Sequence, residues 1–350
     1  MKKVIFISAI ALAAAVSCTK SEVVDTKFNE QIGFETYLGR DAQTKAAVTE
    51  RADLEKVKVY AYYTGINDWA SNKGIAPNLW ENGLTLELTA DAVKPLADED
   101  VRYWANADDK YSFLAYAPIE NTNLAAPTNL AAPTLTYTVD TDFQKHVDVL
   151  RATPIINKSK TDLNGTVALT FKHTLARVTV KANVDKNEPF EFHVKSVKLS
   201  GNFNTKGTLD LASESDWSVE EADCKAAEYT FYTNEGVPGA EETTATALTT
   251  SGIDYATVVP EGADAESNYM MMIPTEFTEA NPATLKVVYT TYFAGLESRP
   301  YEVEYKITQS FVAGNAYSFN LNFKQAENNT IDFTVSVTPW NPVNSSYEIK

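Results

Sequence analysis

The chain has 350 residues, with 47 acidic against 30 basic side chains and a formal charge of −17. A surface so acidic repels phosphate backbones and anionic lipid headgroups, which argues against nucleic-acid binding and electrostatic membrane docking. Two cysteines in the whole chain leave no basis for a disulfide-built scaffold.

The first segment reads as an address rather than as part of the fold. Lys2 and Lys3 precede a 13-residue run from Val4 to Val16 that is apolar but for Ser8. That run is too short for a stable membrane span and matches the core of a signal peptide. It ends in Ala15-Val16-Ser17-Cys18, which resembles a bacterial lipobox. The resemblance implies a leader of residues 1–17, diacylglycerol on the Cys18 thiol, and cleavage that leaves Cys18 first. One acyl chain holds a protein weakly, so firm anchoring needs the two or three chains such a cysteine carries. Thr19, not Asp, follows, so nothing here argues for retention at an inner membrane. Without the leader, 28 basic residues face 47 acidic ones, a net of −19. The second cysteine, Cys224, reads as a small buried filler with an inert thiol, since no histidine stands near it in sequence.

From residue 30 onward the dominant period is two. Glu30–Leu38 and Leu54–Tyr63 form the first two strands, followed by Leu84–Leu88, Tyr111–Tyr116, Thr166–Phe171 and Ala176–Lys181. Phe190–Val194, Ser196–Leu199, Leu285–Tyr289, Tyr301–Ile307, Tyr317–Phe323 and Ile331–Val337 continue the pattern. Alternation places apolar side chains on one face and polar ones on the other, as in half-buried strands of an antiparallel sandwich. Asn82-Gly83, Asn164-Gly165, Ser200-Gly201 and Ala313-Gly314-Asn315 supply turns between them. Short helices are expected at Ala90–Leu96 and Glu220–Ala227, and exposed excursions at Asn121–Pro133 and Gly236–Thr250. About 330 residues remain after export, enough for two domains. The polar stretch Asn183, Asp185, Lys186, Asn187 before Pro189 sets the division, giving an N-terminal domain of residues 18–182 and a C-terminal domain of 183–350.

No reaction chemistry emerges. The three histidines, His146, His173 and His193, form no i, i+3 or i, i+4 pair for a metal, and His173 reads as a structural side chain. No nucleophile elbow, phosphate loop or dinucleotide fingerprint occurs, so no catalytic residue, metal or cofactor is assigned. Asp98-Glu99-Asp100 and Asp108-Asp109 lack the spacing of a calcium loop and read as solvated acid. Five tryptophans, Trp69, Trp80, Trp104, Trp217 and Trp340, could serve either as core filler or as platforms for sugars.

Several segments together resemble the fimbrillin family of Gram-negative surface proteins. Phe171-Lys172-His173-Thr174-Leu175-Ala176-Arg177-Val178 is similar to its Phe-x-His-x-Leu-Ala-x-Val pattern. Gly314-Asn315-Ala316-Tyr317-Ser318-Phe319-Asn320-Leu321 resembles its Gly-x-x-Tyr-x-Phe-x-Leu strand, and Ile331–Trp340 its closing strand. Tyr103-Trp104 through Pro118 also fits. The resemblance implies an all-β chain of two tandem antiparallel β-sandwich domains, Greek-key and transthyretin-like. It implies a fimbria or pilus subunit at the outer membrane and cell surface, touching the membrane through its lipid alone. Its partners would be other fimbrial subunits of the same or a different kind, an Arg-specific protease, and a host or bacterial surface ligand in adhesion.

In that family an Arg-directed protease removes the first strand with the lipid, and a neighbour's strand fills the groove. Here the first strand would be residues 30–40, with Arg40 the cut site and Arg51 the alternative. The donor strand would lie at 330–340, with Ile331, Phe333, Val335 and Val337 on its inserting face. The alternative function is a monomeric surface-exposed glycan-binding lipoprotein using exposed tryptophan.

Overall fold

A computed structural model of the chain describes residues 30–38, 54–69, 75–89, 92–142, 145–184, 191–233, 246–248, 256–257, 269–323 and 331–339. The first half holds β1 (Gly33–Leu38), β2 (Lys56–Gly65), β3 (Leu84–Leu88), β4 (Val93–Pro95), β5 (Lys110–Ala117), β6 (Leu124–Ala125), β7 (Thr134–Thr138), β8 (Leu150–Ala152), β9 (Ile155–Lys158) and β10 (Thr166–His173). The second half holds β11 (Ala176–Val184), β12 (Glu191–Asn204), β13 (Lys206–Asp210), β14 (Cys224–Thr233), β15 (Thr246–Leu248), β16 (Ala256–Thr257), β17 (Met270–Met272), β18 (Ala283–Phe293), β19 (Leu296–Glu297), β20 (Tyr301–Ile307), β21 (Asn315–Phe323) and β22 (Ile331–Pro339).

These strands form four sheets. The largest runs β1-β10-β8-β5-β2-β3-β4, with β9 also against β5, and a small one runs β13-β7-β6. In the second half, one sheet runs β16-β11-β21-β22 with β17 on β11, and another β14-β12-β18-β19 with β15 and β20 added. The chain is therefore all-β, as the period-two runs predict. Two pairings depart from the antiparallel expectation: β1 lies parallel to β10, and β11 parallel to β21. Alternation is a property of one strand and cannot tell which way its neighbour runs.

Strands at the sheet centre are more deeply buried than alternation suggests. Val59 and Ala61 of β2 face one core, and Tyr60 and Tyr62 face the other. In β5, seven consecutive residues from Tyr111 to Ala117 are buried. Ser112 is tolerated there because its hydroxyl accepts the backbone N–H of Asn157 at 3.0 Å. Gly83 at the predicted turn has φ +74°, and an added Cβ would sit 2.7 Å from the Tyr60 ring, so both conformation and space call for glycine.

The two halves share a core. One apolar cluster lies within the first half, around Phe34, Phe113 and Phe171. The other begins on the opposite face of the same sheet, at Tyr60 and Tyr116, takes in Tyr137 of β7, and continues into the second half through Phe203, Tyr289 and Phe319. β12 carries this continuity in the backbone. After Asn204 the chain spends one residue, Thr205, and becomes β13, which pairs with β7 of the first half from Lys206↔Thr138 to Asp210↔Thr134. The division expected between residues 182 and 183 falls inside β11, whose partners β16, β17 and β21 all belong to the second half. Pairing changes over at Thr174–Leu175 instead.

Both expected helices are replaced. Val93–Pro95 is a short strand on β3, and the second segment gives a single 3-10 turn at Glu221–Asp223 before β14. Propensity for a short turn is weak and tertiary pairing overrides it. The Asn121–Pro133 stretch contains β6, and Thr246–Leu248 of the second excursion pairs with β12; the rest of that excursion lies outside the described residues.

Candidate strand-exchange site

The first strand occupies a sheet edge. β1 runs in parallel register with β10, from Gly33↔Thr166 to Leu38↔Phe171. Ile32, Phe34 and Thr36 turn inward and are buried, while Glu35 and Tyr37 point out. The Phe34 ring packs 6.1 Å from both Trp80 and Phe113, so this edge strand supplies a central core side chain. Its beginning is fastened on the second side: the Ile32 N–H donates to the Arg102 carbonyl at 2.9 Å, and the Trp104 N–H to the Glu30 carbonyl at 3.1 Å. Lys160 adds an ion pair to Glu30 at 2.6 Å, a partly exposed contact of small worth. Beyond Gln31, which bridges Tyr103, the pairing of β1 among the described residues is with β10 alone. Loss of this strand would bare the backbone edge of β10 and the pocket filled by Phe34.

The last strand is also an edge. β22 forms nine antiparallel rungs with β21, from Asn315↔Pro339 to Phe323↔Ile331. Ile331 is buried, Phe333 and Val335 are half-buried, and Val337 is 42% exposed. Phe333 stacks on Tyr305 at 4.5 Å and lies 5.8 Å from Phe319. The Tyr305 hydroxyl donates to the Ile331 carbonyl at 2.7 Å, tying β22 to the facing sheet. In the monomer the residues expected on a donor strand thus complete their own sheet. The two edge strands do not pair, but both end at the seam between the halves. Leu38 stands opposite Phe171, two residues before His173. Pro339 stands opposite Asn315, next to Gly314, whose N–H donates to the Leu175 carbonyl.

Cys18, Arg40, Arg51 and Trp340 lie outside the described residues. Cys224 is exposed, not buried as expected, because it opens β14 where that strand's first three side chains face solvent. His173 is a buried structural residue whose Nδ1 lies 2.8 Å from Asp148 Oδ2. His193 stacks on Tyr292 near Glu191. Asp109 accepts hydrogen bonds from Tyr63 Oη at 2.7 Å and Asn106 Nδ2 at 2.6 Å. The bond to that carboxylate, with burial, pushes the Tyr63 phenol up to about 12. No cluster of three acidic, histidine or cysteine side chains suited to a metal occurs among the described residues. Trp80 and Trp104 are buried, and Trp69 and Trp217 are half-buried against the core, so none of these four is an exposed platform. Sequence reasoning passed over Arg151, which the structure buries at the seam. Its signal was a cation inside the otherwise apolar run Val149-Leu150-Arg151-Ala152.

The fimbrillin-like family profile matches residues 44–340, most of the chain. The chain belongs to the fimbrillin-like family. This is a family of fimbrial structural and adhesion proteins, not of enzymes. Among curated proteins it is similar to fimbrium subunit Fim1C of Phocaeicola vulgatus, with 26% identity over 212 residues that make up 54% of each chain. The chain thus spans about half the length of that relative. Among solved structures it resembles a fimbrial protein from Bacteroides vulgatus, with a TM-score of 0.67 and 20% identity over 89% of this chain and all of that one. A cell adhesion protein from Bacteroides uniformis gives a TM-score of 0.52 at 17% identity, with 89% and 100% covered. At these identities the two structures speak to the fold of this fimbrillin-like chain alone.

Proposed function

We propose that this fimbrillin-like chain is a structural subunit of a cell-surface fimbria, joined to other subunits by exchange of an edge strand, and serving adhesion. The observation that carries this reading is the seat of β1, an edge strand whose Phe34 plugs a core pocket and whose last residue lies two positions before Arg40. Cleavage after Arg40, by an Arg-specific protease, frees that strand from the rest of the chain. Its departure opens an apolar slot beside β10 that a complementary strand fills. β22 is the donor in this reading: it is an edge strand with a graded apolar face of Ile331, Phe333, Val335 and Val337. Before cleavage, acylation of Cys18 holds the precursor at the outer membrane. The chain then comprises two sandwich units, one through His173 and one from Ala176, joined by β13. Limited trypsin treatment of the chain from Thr19 tests this: it should convert a monomer into ladders on a sizing column. Arg40→Ala should suppress those ladders, with Arg51 the alternative cut. A cleanly cut chain that stays monomeric at high concentration would refute strand exchange.

A further inference from the structure

At the seam, below the β22 terminus, a cavity of about 170 Å³ is lined by Arg151, Lys172, Glu214, Asp216 and Trp217, with Thr174 at its wall. Both halves line it: β8 and β10 supply the cations, and the loop after β13 supplies the acids and the indole. Arg151 is 8% exposed. Its Nη1 donates to the carbonyls of Asp210 at 3.2 Å and Ser215 at 2.8 Å. Those bonds engage Nη1, and the guanidinium fork carries three further N–H donors on Nε and Nη2. Lys172 and Glu214 pair at 2.8 Å across the mouth, where both side chains remain partly exposed and can exchange partners. Trp217 is fixed by its own bond, Nε1 to the Thr174 carbonyl at 2.8 Å.

The lining selects its ligand by elimination. Two cations face two carboxylates, so the cavity is close to neutral, and phosphate or sulfate would meet Glu214 and Asp216 directly. An apolar ligand would strand four charged groups. The volume lies below the roughly 300–1,000 Å³ of sites for drug-sized ligands, which limits the occupant to one ring. Fixed donors, fixed acceptors and an indole in one small cavity match a neutral ring bearing several hydroxyls, each able to donate and accept. We infer that this seam cavity is a binding site for a single neutral sugar residue, with Arg151, Glu214 and Asp216 bonding its hydroxyls and Trp217 contacting its ring. This inference does not rest on strand exchange and stands or falls separately from it.

The test is saturation-transfer NMR on the intact chain from Thr19, with D-glucose, D-galactose, D-mannose and N-acetyl-D-glucosamine as probes. At least one should show transfer, with a dissociation constant on the order of 1–10 mM, typical of one small ring. Arg151 and Trp217 help build the seam, so the deciding variants are Glu214→Gln and Asp216→Asn, on exposed loop positions. Each should weaken binding roughly tenfold with the melting temperature unchanged, as loss of a charge-assisted hydrogen bond requires. No transfer from any of the four at about 50 mM would overturn the inference. So would transfer that survives the double variant, or inorganic phosphate shifting the seam resonances while the sugars do not.

Discussion

Nδ1 of His146, on the loop between β7 and β8, accepts the backbone N–H of Met271 in β17 at 3.1 Å, so a side chain of the first half satisfies a strand of the second. The other ring nitrogen lies 2.7 Å from the Asp140 carbonyl, which can only accept. The ring is therefore neutral, with its proton on Nε2. Burial lowers its pKa from the ordinary 6.5, against smaller raising effects from Asp140 and Asp142.

A lowered histidine pKa means that the unfolded chain binds the proton more readily. Stability is then complete above about pH 6.5 and falls as pH drops through that value toward the folded pKa. Chemical denaturation between pH 7.5 and 5.5 should show this loss as a stability that falls with pH. His146→Gln, which keeps one acceptor and one donor, should flatten the profile over that interval. An unchanged slope in the variant would remove His146 as the cause.

Gly83→Ala should destabilise more than an ordinary turn substitution. The left-handed φ costs about 1 kcal/mol or more for alanine. The Tyr60 ring, 2.7 Å from the new Cβ, is buried and stacked on Tyr116, so overpacking adds roughly 1–3 kcal/mol. A shift of the guanidinium midpoint at constant slope measures the sum.

Phe34→Ala should cost about 3–5 kcal/mol, because the pocket between Trp80 and Phe113 is walled by fixed aromatic rings and cannot collapse. The same variant should exchange its β1 amides faster than its β5 amides, since β5 lies between two strands. Equal protection of β1 and β5 would show that the edge strand opens only with the whole fold.

Tyr305→Phe removes the hydroxyl that holds the Ile331 carbonyl, a loss of about 0.5–1.5 kcal/mol. Its effect should concentrate in β22, whose amides should exchange earlier while those of β11 hold. Hydrogen exchange with mass spectrometry resolves the two strands.

Half of the strands, most of the long ones among them, were legible because each is written in its own residues: Tyr301–Ile307 alternates whether or not its partner is known. Partnership was not legible. The parallel pairings of β1 with β10 and β11 with β21 join residues 133 and 139 positions apart, and nothing local marks their direction. β13 carries no period-two run singled out in the sequence, and its ladder is with β7 of the other half. Of the site, the apolar face of Ile331, Phe333 and Val335 was visible as a period-two stripe. The seam cavity was not, because Arg151, Lys172 and Trp217 come from three separate segments that only the fold brings together.

The passage of the chain from β12 to β13 with only Thr205 between them has a mechanical meaning. On one side of Thr205 the strand is laddered to β14 and β18, and on the other to β7. No slack linker lies at this crossing to absorb extension. Tension drawing the halves apart along this strand would load both ladders in shear, so many hydrogen bonds would resist at once instead of opening one after another. A single polar side chain, at the one residue between the ladders, marks the point where the molecule transmits force from one half to the other.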